Sequence, residues 1–304
     1  MTMTRSLTLG PIPFHWPAED KLDFYASIAD EAPVDTVYLG EVICSKRAPF
    51  FERHYAEVAD RLERGGKHVV FSSLAEVMTR RERQMMAGFC EIDEHEIEIN
   101  NNSGLFHMNG RAHRIGPLLN VYNAETLVYL AERGATHFAL PVELPRSSVA
   151  QLAEVAAQRG AGIEVQVFGR ASLAVSARCY HARAHGRTKD NCQFVCEEDP
   201  DGMPLRTLVD QPFLRVNGIQ TMSESYVNLI EDLEDLAAHG VTHYRLVPQV
   251  TDMVAVARAF RDVLDGTQSA AEGAARIDAL GIAAPFSNGF WYARPGFQRI
   301  RAPE

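Results

Sequence analysis

Cysteine is scarce in this 304-residue chain: there are five. Five thiols are too few for a disulfide scaffold, and an odd number cannot all pair. Tryptophan is scarcer still, at two. No run approaches the roughly 18 consecutive apolar residues of a transmembrane helix. The opening MTMTRSLTLGPIPFHWP lacks the apolar stretch of a secretory signal. The expectation is a cytoplasmic protein with reduced thiols, in which clustered cysteines point to metal or redox chemistry. Positive charge is also short, with 30 Lys plus Arg against 40 Asp plus Glu and a formal net charge of −10. That balance disfavours nucleic acid and anionic membranes as non-specific partners. The glycine fingerprint of a dinucleotide fold, the phosphate loop and the H-E-x-x-H and G-x-S-x-G motifs are all missing.

Short apolar runs alternating with amphipathic stretches are what the chain does have. Strands are expected at 7–9, 36–39, 68–71, 97–99, 115–119, 137–140, 163–167, 213–216 and 244–247. Helices are expected at 17–30, 50–64, 74–89, 124–133, 147–159, 224–238 and 254–264, several of them stopped by glycine. This alternation implies βαβ units and a parallel sheet. Seven or eight such units suit a closed, TIM-barrel-like (β/α) barrel, regular or irregular, better than an open sheet. One barrel domain over 1–304 is expected, with a cysteine-bearing loop inserted at about 168–205. The Gly266–Gly281 segment reads as a helix-prone surface insertion. The tail, about 282–304, carries Trp291 and is too aromatic to be left in solvent.

Three cysteines crowd into RCYHARAHGRTKDNCQFVC: Cys179, Cys192 and Cys196. Cys44 lies far upstream, after the strand ending near Leu39. Loops that follow barrel strands share one face, so these four sulfurs can meet. Four thiolates can hold zinc or an iron–sulfur cluster. Zinc usually takes two tight pairs, and only one close pair exists here, which favours the larger cluster and leaves zinc open. Lys46, Arg47, Arg178, Arg183, Arg187 and Lys189 lie beside the ligands and would compensate a negative core. Cys90, in AGFCEI, reads as a buried apolar residue. Asn120, Asn123, Glu143, Asn217 and Gln220 fall at strand ends, where they either line a pocket or cap helices.

The segments YLGEVICSKR, LNVYNA, PVELPR, SARCYHAR with KDNCQFVC, VNGIQTMS and SNGFW together resemble the collagenase-like peptidase family. The resemblance is to its members acting in oxygen-independent ubiquinone biosynthesis, and it covers nearly the whole chain. It implies a 4Fe–4S cluster held by Cys44, Cys179, Cys192 and Cys196. It implies a heterodimer with a related cluster-bearing, UbiU-type protein and a role in hydroxylating the ubiquinone precursor's ring without O2. A lipid-binding accessory protein would present that precursor. Four thiolates would saturate the irons, so electron transfer or a structural role is expected rather than Lewis-acid catalysis. Glu143 and Asn120 are candidates for proton transfer by position alone. Three other readings compete: a peptidase, RNA base hydroxylation as in other members of the family, and a structural zinc protein.

Overall fold

Side chains along the short strands alternate in character, as in Leu7-Thr8-Leu9, Val37-Tyr38-Leu39, Ile97-Glu98-Ile99 and Ile163-Glu164-Val165. Successive strand residues point to opposite faces. Each strand therefore needs an apolar layer on one side and polar partners on the other. The computed structural model describes residues 5–301. The first four residues of the segment read for a signal, and the last three of the expected tail, lie outside the described residues.

The order is β1 (Ser6–Leu9), α1 (Ala18–Glu31), β2 (Thr36–Leu39), α2 (Tyr55–Arg64), β3 (His68–Ser72), α3 (Arg80–Phe89), β4 (Glu96–Ile99), α4 (Asn102–Met108), β5 (His113–Ile115), α5 (Ala124–Ala131), β6 (Ala135–Ala139), α6 (Arg146–Gln158) and β7 (Gly162–Val175). There follow α7 (Tyr180–Ala184), β8 (Met203–Arg206), β9 (Pro212–Asn217), β10 (Gln220–Asn228), α8 (Leu233–Ala238), β11 (His243–Leu246), α9 (Met253–Leu264), α10 (Ala270–Asp278) and β12 (Phe286–Ser287). Strands β1 to β7 pair in sequence order, all parallel, and β11 pairs with both β7 and β1. Leu246 stands opposite Leu9 on one side and Phe168 on the other. The ring of eight parallel strands is closed: this is a TIM-barrel-like α/β fold, as the alternation implied.

The apolar layer lies between strands and helices. Leu9, Leu39, Phe138 and Leu246 pack there with Ile28, Leu62, Leu152 and Phe260 in one core. Phe138 and Phe260 are fully buried, each contributing roughly 1.5–3 kcal/mol of transfer free energy.

Several expected elements fall differently. The strand expected at 115–119 ends at Ile115, and Pro117 opens a single 3-10 turn. The helix expected from 74 starts at Arg80, where Thr79 and Glu82 form a capping box. Helix α4 was not expected; seven residues carry too little periodicity to read. Strand β7 does not stop at Val167. It runs on to Val175 and leaves the barrel, pairing antiparallel with β10. The 213–216 strand belongs to this excursion and not to the barrel. Residues 224–228, expected as helix, are strand β10, and only Leu233–Ala238 is helical. Pairing with β7 overrides the local helix pattern there. Helix α10 is no loose insertion: Ile277 is fully buried, and a Cβ at Gly273 would clash with Val263 and Ile230.

Candidate functional site

Two hollows share a wall at the C-terminal end of the barrel, the end where such folds carry their chemistry. The first is the barrel mouth, a cavity of about 410 Å³, a size typical of small-molecule sites. Val42, Ile43, Leu118, Leu140, Val175 and Met222 make much of its lining apolar. Glu98, Asn100, Glu164, Gln166, Arg170 and Arg245 add polar groups.

A buried charge network fills the barrel interior below. Arg245 Nη2 donates to Glu98 Oε1 at 2.5 Å and to Glu164 Oε2 at 2.8 Å. Glu164 also accepts from the Tyr38 and Thr8 hydroxyls and lies 2.9 Å from His137 Nε2. Burial penalises the Glu164 charge, but Arg245 and His137 outweigh it and hold the carboxyl well below the usual range. Asn100 Oδ1, Ser172 Oγ and Arg245 Nε have no hydrogen-bond partner among the described residues. Buried polar atoms are rarely left so; here they are available to a ligand or to water.

Of the polar residues singled out in the sequence, Asn120, Glu143 and Gln220 line this cavity. Asn123 does not: its Oδ1 accepts the Thr126 N–H at 2.8 Å and caps α5. Asn217 is buried and accepts from Arg47 Nη2 at 2.7 Å. Glu143 accepts from the Tyr122 hydroxyl. Burial, then that carboxylate, pushes Tyr122 up to about 12. The sequence reading missed Glu98, Glu164, Arg170 and Arg245. Their signal was there: charged residues at alternate positions inside otherwise apolar strands.

The second hollow holds the cysteines. After β2 the chain turns at Gly40, whose φ of +146° and closeness to the Ser72 carbonyl exclude a side chain. Glu41 Oε1 then accepts the N–H groups of Ile43 (3.0 Å) and Cys44 (2.9 Å). In the β7 excursion Cys179 is the N-cap of α7, and its sulfur accepts the Ala182 N–H at 3.3 Å. Cys44, Cys179, Cys192 and Cys196 all line one small cavity, together with Lys46, Arg47, Lys189 and Gly218. Lys46 ties the two segments together, donating to the carbonyls of Lys189 (2.8 Å) and Asp190 (2.9 Å). Cys90 lies apart, in the packing beside α3 and α4, where burial pushes its thiol up to about 11.

Electrostatics in this second hollow are lopsided. Arg47 is 2% exposed. Burial opposes its charge, but Cys196 and Glu41 more than restore it. Its Nη1 donates to the Pro13 carbonyl at 3.0 Å, and its Nε has no hydrogen-bond partner among the described residues. Lys21, over the Phe51 ring and outside this lining, is buried too, and burial lowers its pKa. Burial raises the Cys44 and Cys179 thiols. Three cationic side chains, Lys46, Arg47 and Lys189, line this cavity and no carboxylate among the described residues does, so an anionic occupant would answer the positive charge. Arg178 and Arg183, by contrast, are exposed. Among the described residues no three of the sulfurs lie mutually within 4.8 Å. The wall between the hollows is apolar: Val42, Ile43, Leu118 and Val175 line the mouth and pack with Cys44, Cys179 and Cys192.

Residues 24–300 match the family model described as peptidase family U32, and the chain belongs to that family. Among solved structures, an uncharacterized B. cereus protein is similar at a TM-score of 0.40 and 10% identity, over 82% of this chain and 62% of that one. This chain thus spans less than two thirds of that protein's length. A phospho-2-dehydro-3-deoxyheptonate aldolase from Thermotoga maritima is similar at 0.34 and 12% identity, over 94% of this chain and 71% of the aldolase. The spore cortex-lytic enzyme SleL of Bacillus megaterium follows at 0.28 and 9% identity, over 81% and 71%. Likeness this loose carries no functional argument. No helix among the described residues is long and apolar enough to cross a membrane.

Proposed function

We propose that the chain is a UbiV-type member of its family: the iron–sulfur subunit, with a UbiU-type partner, of an O2-independent hydroxylation system for the ubiquinone precursor's ring. One observation carries the reading. Four cysteines from two distant segments line a single buried cavity next to the barrel mouth, with the Arg47 guanidinium beside it. The donor set, the positive charge of the lining and the unpartnered Arg47 Nε fit an anionic cluster.

A bound 4Fe–4S cluster supplies one-electron transfer at a potential set by nearby charge and burial. The chain's own residues do the rest. Cys44, Cys179, Cys192 and Cys196 are the ligands. Arg47 offsets negative charge, and Val42, Ile43, Leu118 and Val175 keep water out between the two hollows. The apolar side of the mouth suits an aromatic ring. Glu98, Asn100 and Arg245 offer hydrogen bonds to its substituents, and the Tyr122–Glu143 pair holds a proton at the mouth. A lipid-binding accessory protein would deliver the quinone precursor, and the cytoplasm is the proposed compartment.

The test replaces Cys192 with alanine and measures iron, acid-labile sulfide and the restoration of anaerobic quinone synthesis in a deficient strain. Loss of all three is expected. Retention of iron and function would end the proposal. Peptide hydrolysis by iron-free protein would put the peptidase reading, which the family's name supplies, in its place.

A further inference from the structure

His181, His185 and Asp199 converge outside the cavity walled by the cysteines. One Nδ1 or Nε2 atom of each histidine and a carboxylate oxygen of Asp199 all lie within 4.8 Å of one another. His181 is 0% exposed, and the His185 ring stacks over it at 5.6 Å and 16°. His181 Nε2 is 2.9 Å from Asp199 Oδ2. The two make a close ion-pair contact, while the equally buried His181 Nδ1 has no hydrogen-bond partner among the described residues. A fully buried imidazole is seldom left unsatisfied. A buried ring nitrogen and a carboxylate oxygen this close, with a second imidazole within reach of both, are placed as ligands of one ion would be.

We infer that His181, His185 and Asp199 form a binding site for one divalent first-row transition-metal ion, separate from the four-cysteine cavity. Two imidazoles and one carboxylate are a donor set that suits Zn2+ or Fe2+ and leaves positions for water. The half-buried Asp199 and exposed His185 give solvent access. Position suggests the role. His181 and His185 sit on and just after α7, two and six residues beyond Cys179, and Asp199 lies three residues after Cys196. An ion here staples together the two stretches that carry Cys179 and Cys196. The inference does not rest on the cluster reading, because none of its ligands is a cysteine.

The experiment uses the full chain carrying serine in place of all four of Cys44, Cys179, Cys192 and Cys196, stripped with chelator and titrated with Co2+ as the probe. One equivalent is expected to bind, with weak ligand-field bands and no intense sulfur-to-cobalt charge transfer. His185→Ala and Asp199→Asn, both at solvent-accessible positions, are each expected to weaken binding about 100-fold or more, since even outer-shell changes cost 10–100-fold. Competition with Zn2+ and, without oxygen, with Fe2+ identifies the preferred ion. Bound metal is also expected to slow protease cleavage between 178 and 206, and His185→Ala to abolish that protection. Absence of stoichiometric binding, sulfur charge-transfer bands, or unchanged affinity in both variants would overturn the assignment. Loss of iron and sulfide with retention of this site would separate its fate from that of the cluster.

Discussion

Replacing Arg47 with methionine keeps most of the side-chain volume and removes one buried charge, and its effect depends on what the neighbouring sulfurs hold. In iron-free protein two terms oppose each other. The Asn217 carbonyl loses its 2.7 Å donor, which costs about 1–3 kcal/mol for an orphaned buried acceptor. Pro13 O keeps a donor in Asn217 Nδ2. Against this, a buried guanidinium no longer has to be desolvated, a relief of several kcal/mol. Stability of the iron-free form should therefore change by no more than about 2 kcal/mol in either direction. With a cluster and four thiolates in place, carrying a net charge of about −2, a third term enters. A unit charge pair at 4 Å is worth about 4 kcal/mol at an effective dielectric of 20. Breaking a buried pair costs about 3–5 kcal/mol, and that loss should appear only in the iron-loaded form. The assay is anaerobic urea unfolding of both proteins in both forms, read as midpoints with slopes compared. An equal loss in the two forms would refute the argument, because Arg47 would then be serving only Asn217 and Pro13.

Two further changes probe the scaffold. Gly218 has φ of +63°, and a Cβ there would sit 2.6 Å from Arg47 Nη2. Gly218→Ala should cost about 1–3 kcal/mol from backbone strain alone and lower iron retention by pushing Arg47 aside; a wild-type melting temperature with wild-type iron content would contradict this. Arg245→Met leaves Glu98 and Glu164 facing each other without their shared cation and should cost about 3–5 kcal/mol near pH 8. The sign with pH follows. In the wild type Glu164 is depressed, so its contribution is full above the unfolded carboxylate value of about 4.3. It is lost as pH falls below that value, through the folded pKa. Without Arg245, burial raises the Glu164 carboxyl instead, so the variant's deficit should shrink between pH 8 and pH 5. Urea midpoints at the two values measure this, and a deficit independent of pH would refute it.

Much of the barrel could be read from the residues, for reasons particular to its strands. Val37-Tyr38-Leu39 and Ile163-Glu164-Val165 are short, β-rich and separated by helical stretches, so local propensity and global fold agree. Disagreement arose where tertiary pairing outbid propensity. Residues 224–228 look helical alone, but β7 offers them a ladder. Proline at 117 cut a strand that its apolar neighbours Leu118 and Leu119 appeared to extend. The cysteines were legible because three of them stand in a polar loop with no packing reason to be there. Asn123 and Asn217 were not separable from pocket residues, because a strand-end asparagine looks the same whether it caps a helix or lines a cavity.

Periodicity by itself determined the class of architecture and cysteine placement the four sulfurs worth watching, because each depends on residue type and near neighbours along the chain; the family rested on resemblance of whole segments. Only the folded chain decided which distant groups meet. Barrel closure brings Glu98 and Glu164 onto Arg245. The outward run of β7 carries Cys179 and its neighbours back over the loop holding Cys44. The same excursion sets Asp199 beside His181. Such meetings depend on strand register and on where a strand leaves the barrel, and both are settled by the packing of the whole chain, which no local stretch encodes.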